Sequence, residues 1–271
     1  MIDGYYLSLG KTQLEYAQAL ANDPTHTATR AQAITMIQQA LQVFQRAEKN
    51  NPLNPDHPRN VAKLYDLWGL QLFPAEGVQP DKLELADKSF ATAAALAPHN
   101  SDIQDEWAAV DLQLGIYNLS LKTPAGDAKA HQWYALAREH LLLSQALFPE
   151  SGNAYRDLGT VYAQYAQWAE DRKDAAGALK YHNLERDAWL QSLGGPPVTV
   201  LAQNYQAVYP RLAALDMAKL PGHLCEAGQY AIFGLQALQQ GYIADPNGTI
   251  ASTMQSIIAQ ARSKACPLKQ Q

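Results

Sequence analysis

One spacing recurs three times along this chain. Ala40-Phe44-Ala47-Pro52, Ala86-Phe90-Ala93-Pro98 and Ala137-Leu141-Ser144-Pro149 each step by 4, 3 and 5 residues. Steps of three and four keep side chains on one helical face. The small residues let a neighbouring helix approach closely, and the larger one fills a groove between helix pairs. Proline, with no amide hydrogen, stops the helix. Successive copies lie 46 and 51 residues apart. Three ordered copies confine the chain to stacked helix pairs. Strand signals do not compete, since β-branched residues are scattered and cluster only at Val198-Thr199-Val200.

Apolar periodicity places helices near 4–21, 28–50, 57–73, 81–97, 102–122, 128–147, 151–171 and 174–193, then near 198–219, 222–241 and 249–264. Pro210 breaks or kinks the 198–219 segment. Turn chemistry separates the helices at Asn22-Asp23-Pro24, Asn51 to Pro55, Thr123-Pro124-Ala125-Gly126, Gly194-Gly195-Pro196-Pro197 and Asp245-Pro246-Asn247-Gly248. Asp81, Ser101 and Ser151 are read as N-caps.

The first helix of a pair carries its own wording. Tyr155-Leu158-Gly159-Tyr162 fits an aromatic-x2-Leu-Gly-x2-Tyr pattern in which glycine admits the second helix. Tyr65-Trp68-Gly69-Leu72 is a looser copy, and Tyr6-Leu9-Gly10 a fragment. On these residues and the three tails, the chain resembles a tetratricopeptide-repeat (TPR) protein over residues 4–193. The resemblance implies an all-α fold of antiparallel helix pairs stacked as a TPR-like α-solenoid. The pairs fall near 4–50, 57–97, 102–147 and 151–193, making a repeat region 1–195 followed by C-terminal helices over 196–271. The period departs from the usual ~34 residues, through extra linker at Pro24–Thr29 and Pro74–Asp81 and long helices around Ile103–Leu121.

A second resemblance rests on the run Ala47 to Tyr65, with Tyr5-Tyr6-Leu7-Ser8-Leu9-Gly10-Lys11 before it. It is similar to the soluble tail of bacterial O-antigen ligase or polymerase-type membrane proteins, over roughly the first 70 residues. This implies an extracytoplasmic accessory domain, whose parent's catalytic residues lie in a membrane portion with no counterpart here.

Composition removes other classes. A net charge of −5 without long Lys/Arg runs excludes an electrostatic nucleic-acid binder. The most apolar stretch, Ala227 to Ala244, is interrupted by four glutamines and does not read as a membrane span. No signal peptide is visible at the N-terminus. The seven histidines form no dense metal-ligand spacing, and Gly194-Gly195-Pro196-Pro197 lacks the amide donors of a phosphate cradle. His182 and Glu185, at i, i+3, read as a solvated contact, as do the carboxylate pairs Asp102/Glu106 and Asp171/Asp174. The five tryptophans read as inter-helix packing. The chain is therefore expected to be no enzyme and to need no cofactor or metal.

Two features remain. Cys225 lies 20 residues before Asp245, and Cys266 lies 20 residues after Pro246. In a helical hairpin equal arms bring the ends together, so a disulfide is expected; two unrelated buried thiols are the alternative. Counted from the glycine motifs, the concave-face candidates are Asn153, Arg156, Thr160 and Gln164 in one pair, and Lys63, Asp66 and Leu70 in another. They do not reproduce the Lys/Asn/Arg clamp of chaperone-binding relatives.

The functional expectation is a non-catalytic TPR-like interaction scaffold, the extracytoplasmic part of an O-antigen ligase or polymerase-type membrane protein. It would hold a protein or peptide partner or a glycan chain, and meet a membrane only through the parent's transmembrane domain. A freestanding cytosolic protein–protein scaffold and a helical carbohydrate-binding or modifying protein are the alternatives.

Overall fold

The computed structural model describes residues 2–21, 27–194 and 207–269. Among these, eleven α-helices and one 3-10 turn at Pro74–Glu76 carry the regular structure, with no strand. The helices are α1 (Ile2–Ala21), α2 (Thr27–Asn50), α3 (Asp56–Leu70), α4 (Pro80–Leu96), α5 (Ser101–Ser120), α6 (Pro124–Leu147), α7 (Gly152–Asp171), α8 (Ala175–Leu193), α9 (Val208–Ala218), α10 (Leu224–Gln239) and α11 (Thr249–Ser263). The turn at Asn22-Asp23-Pro24, the Val198 cluster and the first part of the 198–219 helix fall outside the described residues. Pro210 sits in the first turn of α9, where a missing amide hydrogen costs no helix bond.

The chain divides into two compact units, Met1–Leu147 and Phe148–Gln271. The 195/196 division read from the sequence lies outside the described residues. The first unit holds the pairs α1–α2, α3–α4 and α5–α6, with α2 packing on α3 and α4 on α5. The second holds α7–α8 and then α9–α11, in which α9 touches α8, α10 and α11.

The repeated prolines act as boundaries. Helices α2, α4 and α6 end at Asn50, Leu96 and Leu147, two residues before Pro52, Pro98 and Pro149. The alanines are the contact points, with Ala40, Ala47, Ala86, Ala93 and Ala137 fully buried. Phe90 lies in a cluster with Ala62 of α3 and Ile103, Val110 and Leu114 of α5, filling the space between two pairs. Phe44 differs, because it also meets Gly10 inside its own pair. A methyl at Gly10 would stand 2.4 Å from the Phe44 ring.

Helix starts shift slightly from the reading of the sequence. Asn100, not Ser101, caps α5, accepting from the Asp102 and Ile103 amides at 3.0 and 3.3 Å. α4 begins at Pro80 behind Gln79, so Asp81 lies in its first turn rather than at its cap. Ser151 occupies the N-cap of α7, but its side chain makes no capping bond. Thr123-Pro124-Ala125-Gly126 is a helix start rather than a turn between helices. Thr123 Oγ1 accepts from the Gly126 amide at 3.0 Å, and proline suits the first helical position.

Candidate functional site

Arg59, Lys63, Asp66 and Leu70 run along α3 at steps of four, three and four, one stripe of a helix. Val61 and Leu64 turn to the core on the opposite face, while Ala62 and Leu70 pack into the cluster shared with α4 and α5. Across the stripe, α5 presents Asp102 and Glu106. Arg59 donates to both Glu106 oxygens, at 2.7 and 2.8 Å, and Lys63 pairs with the same carboxylate. Asp102 stands 3.7 Å from Arg59. Such a forked guanidinium–carboxylate contact fixes direction as well as charge.

The stripe's charges are unequal. Burial alone would push the Glu106 carboxyl up, but the hydrogen bonds and charges of Arg59 and Lys63 outweigh it and hold it below its ordinary value. Asp66 is not held in this way. Burial, reinforced by the Glu106 charge and opposed by Lys63, pushes it up to about 6. The face thus pairs a clamped carboxylate with one that titrates in mildly acidic solution.

In the second unit, Asn153, Arg156, Thr160 and Gln164 lie along α7 and are all half-buried. Arg156 donates to its neighbour Asp157 at 2.9 and 3.3 Å, and the Thr160 hydroxyl donates to the Arg156 carbonyl at 3.3 Å. The structure thus puts Lys63 and Asp66 on one helix of the first unit and these four on one helix of the second.

Several chemically able groups were not legible as a set. Arg59 and Glu106 are 47 residues apart, and only the i, i+4 relation of Arg59 to Lys63 hints at the cluster. Asp102/Glu106 is not a freely solvated pair, since Glu106 is taken by two cations. Asp174 caps α8 through the Gly177 amide at 2.9 Å, and Asp171 accepts from Gln167. His182 and Glu185 are not a solvated contact either; both are buried, with ring Nδ1 3.0 Å from Glu185 and Nε2 3.0 Å from Glu170. Lys219, directly after α9, donates to the same Glu170 at 2.7 and 2.9 Å. No group of three or more His, Cys, Asp or Glu among the described residues is arranged to hold a metal ion.

The α5–α6 pair is the most polar inside. Asp111, Asn118, His140 and Ser144 are all buried there. His140 Nδ1 lies 2.9 Å from Asp111, its ring stacks on Trp107 at 3.8 Å, and the Trp107 indole donates to Asp87 of α4 at 2.7 Å. Asp111, Leu114, Gly115 and Asn118 occupy the first-helix motif with polar ends, which hid this copy from pattern reading. A methyl at Gly115 would still stand 2.3 Å from Tyr134.

Cys225, at the start of α10, is disulfide-bonded to Cys266, beyond α11, with the Cα atoms 5.2 Å apart. The turn between the helices is fixed by Asp245, whose carboxylate accepts from the Ala251 amide at 2.8 Å, and by Gly248 at φ +66°. No described helix is long and apolar enough to cross a membrane.

No protein-family model matches the chain, and no curated protein matches it in sequence. Solved structures do resemble it. PilF of Pseudomonas aeruginosa is 15% identical with a TM-score of 0.56, covering 97% of this chain and 90% of that one. A thermophilic TPR protein of Thermus thermophilus, TTC0263, is 16% identical with a TM-score of 0.50, covering 92% and 99%. A MamA structure is 14% identical with a TM-score of 0.52, covering 88% and 93%. At these identities the likeness speaks for the fold: all-α, of the TPR-like α-solenoid class.

Proposed function

We propose that this chain is a non-catalytic interaction scaffold that holds a protein or peptide partner against the first helices of its pairs. The observation that carries the reading is the α3–α5 face. There Arg59, Lys63, Asp66 and Glu106 form a preorganised charged cluster that bridges two helices. A rigid surface of this kind binds with little ordering cost. A photo-crosslinking residue placed at Lys63 or Asp66, in the whole natural gene product, tests it. One partner captured reproducibly from this face, and lost in Lys63→Glu, supports the reading. Capture that is equal from Lys88, on α4, overturns it.

We extend the reading to an extracytoplasmic domain of an O-antigen ligase or polymerase-type membrane protein. Its support is the resemblance of the run Ala47 to Tyr65. The Cys225–Cys266 disulfide adds to it, since such bonds persist in oxidising compartments. The reading frame upstream of Met1 tests this: several hydrophobic spans support it, and a start codon at Met1 with no membrane segment overturns it. A glycan partner is checked separately by tryptophan-fluorescence titration with polysaccharide fragments.

A further inference from the structure

Between α10 and α11 runs a groove of about 460 Å³. Its floor is aliphatic, with Ile232 and Ile258, and its walls carry Gln236, Gln239, Gln255 and Arg262. Arg262 is the one charged residue of the lining, and no aromatic ring belongs to it. Among the described residues, no side-chain hydrogen bond or ion pair takes any of these four wall residues.

We infer that this groove docks an extended peptide segment of a partner protein, with an aliphatic side chain on the floor and a carboxylate paired to Arg262. The inference rests on the scaffold reading and gives it a second, separate site in the C-terminal helices.

The same helix already displays the recognition chemistry. Gln229 donates its amide to the Lys269 carbonyl at 2.9 Å and accepts the Lys269 amide hydrogen at 2.8 Å, as a neighbouring strand would. Gln236 follows Gln229 by seven residues, two turns along the same face of α10. From Ile232 to Gln239 the helix rises about 10 Å, the length of roughly three extended residues. The groove thus offers primary amides to a peptide backbone, an apolar floor to one side chain and a guanidinium to an acid. A sugar would find no ring to stack on. A purely apolar occupant would leave Arg262 unmatched.

Fluorescence anisotropy with labelled hexapeptides tests the site on the full chain. The panel is Ser-Gly-Val-Val-Asp-Gly, its Leu and Glu counterparts, a version with Asp replaced by Lys, and one with both Val replaced by Ser. Saturable binding is expected for the acidic aliphatic peptides. It should weaken at least about tenfold on replacing Asp by Lys and in Arg262→Glu, as loss of a charge-assisted bond implies. Gln236→Ala should weaken it as well, while Lys88→Ala, on α4, leaves it unchanged. Circular-dichroism melts confirm that these surface variants fold. Binding that survives both Arg262→Glu and Gln236→Ala, or the absence of any binding up to about 1 mM, overturns the proposal. So does sedimentation showing that a second copy fills the groove. Binding lost only in Lys63→Ala would remove this site and leave the scaffold reading standing. A silent peptide panel together with no selective crosslink from α3 would remove both.

Discussion

Trp189 of α8 lies where a side chain on Gly159 of α7 would stand. A methyl there would sit 2.0 Å from both Cδ1 and Nε1 of the indole. The helices touch backbone to ring, and the ring is only 4% exposed, so it has no room to retreat. Alanine would gain about 0.5–1 kcal/mol of helix propensity but overpack the contact by about 1–3 kcal/mol. Gly159→Ala should therefore lose on the order of 1–2 kcal/mol in urea denaturation. Adding Trp189→Leu should recover part of the loss. A variant as stable as the parent would mean the two helices separate freely.

Asp111 is fully buried, and burial pushes its carboxyl up to about 6, only partly offset by the His140 hydrogen bond. A carboxyl raised in the folded state stabilises below its unfolded value near 3.9 and loses that contribution as pH rises through about 6. Between pH 4 and pH 7 the parent should lose on the order of 3 kcal/mol through this group. Asp111→Asn keeps an acceptor for His140 but does not titrate. Measured by thermal unfolding, it should gain on the parent as pH rises across that window. A constant difference would place the titration elsewhere.

Glu170 works with the opposite sign. Hydrogen bonds from Lys219 first, then from His182, hold its carboxyl below its ordinary value against a smaller burial effect. Its contribution is present above the unfolded value near 4.3 and is lost as pH falls through the depressed folded one. Glu170→Gln should thus destabilise most at neutral pH, by about 1 kcal/mol, since solvent screens the Lys219 contact. The difference should shrink toward pH 3. Glu185, raised by burial, titrates against it, so the double variant Glu170→Gln/Glu185→Gln should have the flatter profile. An effect of Glu170→Gln that grows in acid would reverse the assignment.

Such pairs mark the boundary of what was legible in the sequence. The helix pairs were readable because alanine spacing and the prolines at 52, 98 and 149 act locally, within one or two turns. Gly10, Gly69 and Gly159 were readable for the same reason. Gly115 was not, because Asp111 and Asn118 stand where its copies have apolar or aromatic residues, although Tyr134 packs on it in the same way. The Glu106 clamp joins residues of two helices, and the Glu170–His182 contact gains Lys219 from beyond a third. Neither leaves a periodic trace. What shifted at the caps of α4 and α5 was one residue or two, set by Pro80 and by the Asn100 side chain.

The disulfide makes the last prediction. Residues 266–269 have three attachments to α10: the Cys225 bond, the Gln229–Lys269 amide pair, and Leu268 against Gly228. A methyl at Gly228 would stand 3.0 Å from the Leu268 side chain, so the segment lies close on the helix. In the loop-entropy account, a cross-link spanning 41 residues adds about 4 kcal/mol. Most of that acts on the unfolded chain, so the helix contacts within the α10–α11 hairpin need not change when the bond is cut. Cys225→Ser/Cys266→Ser should therefore lower the melting temperature while its α10–α11 hairpin stays helical by circular dichroism. The amide pair alone is too weak to hold the segment, because each of its two hydrogen bonds adds only about 1 kcal/mol. Limited proteolysis should accordingly cut near Lys269 in the double variant and spare the oxidised parent. Equal melting temperatures, with and without reductant, would show that the cross-link constrains neither state.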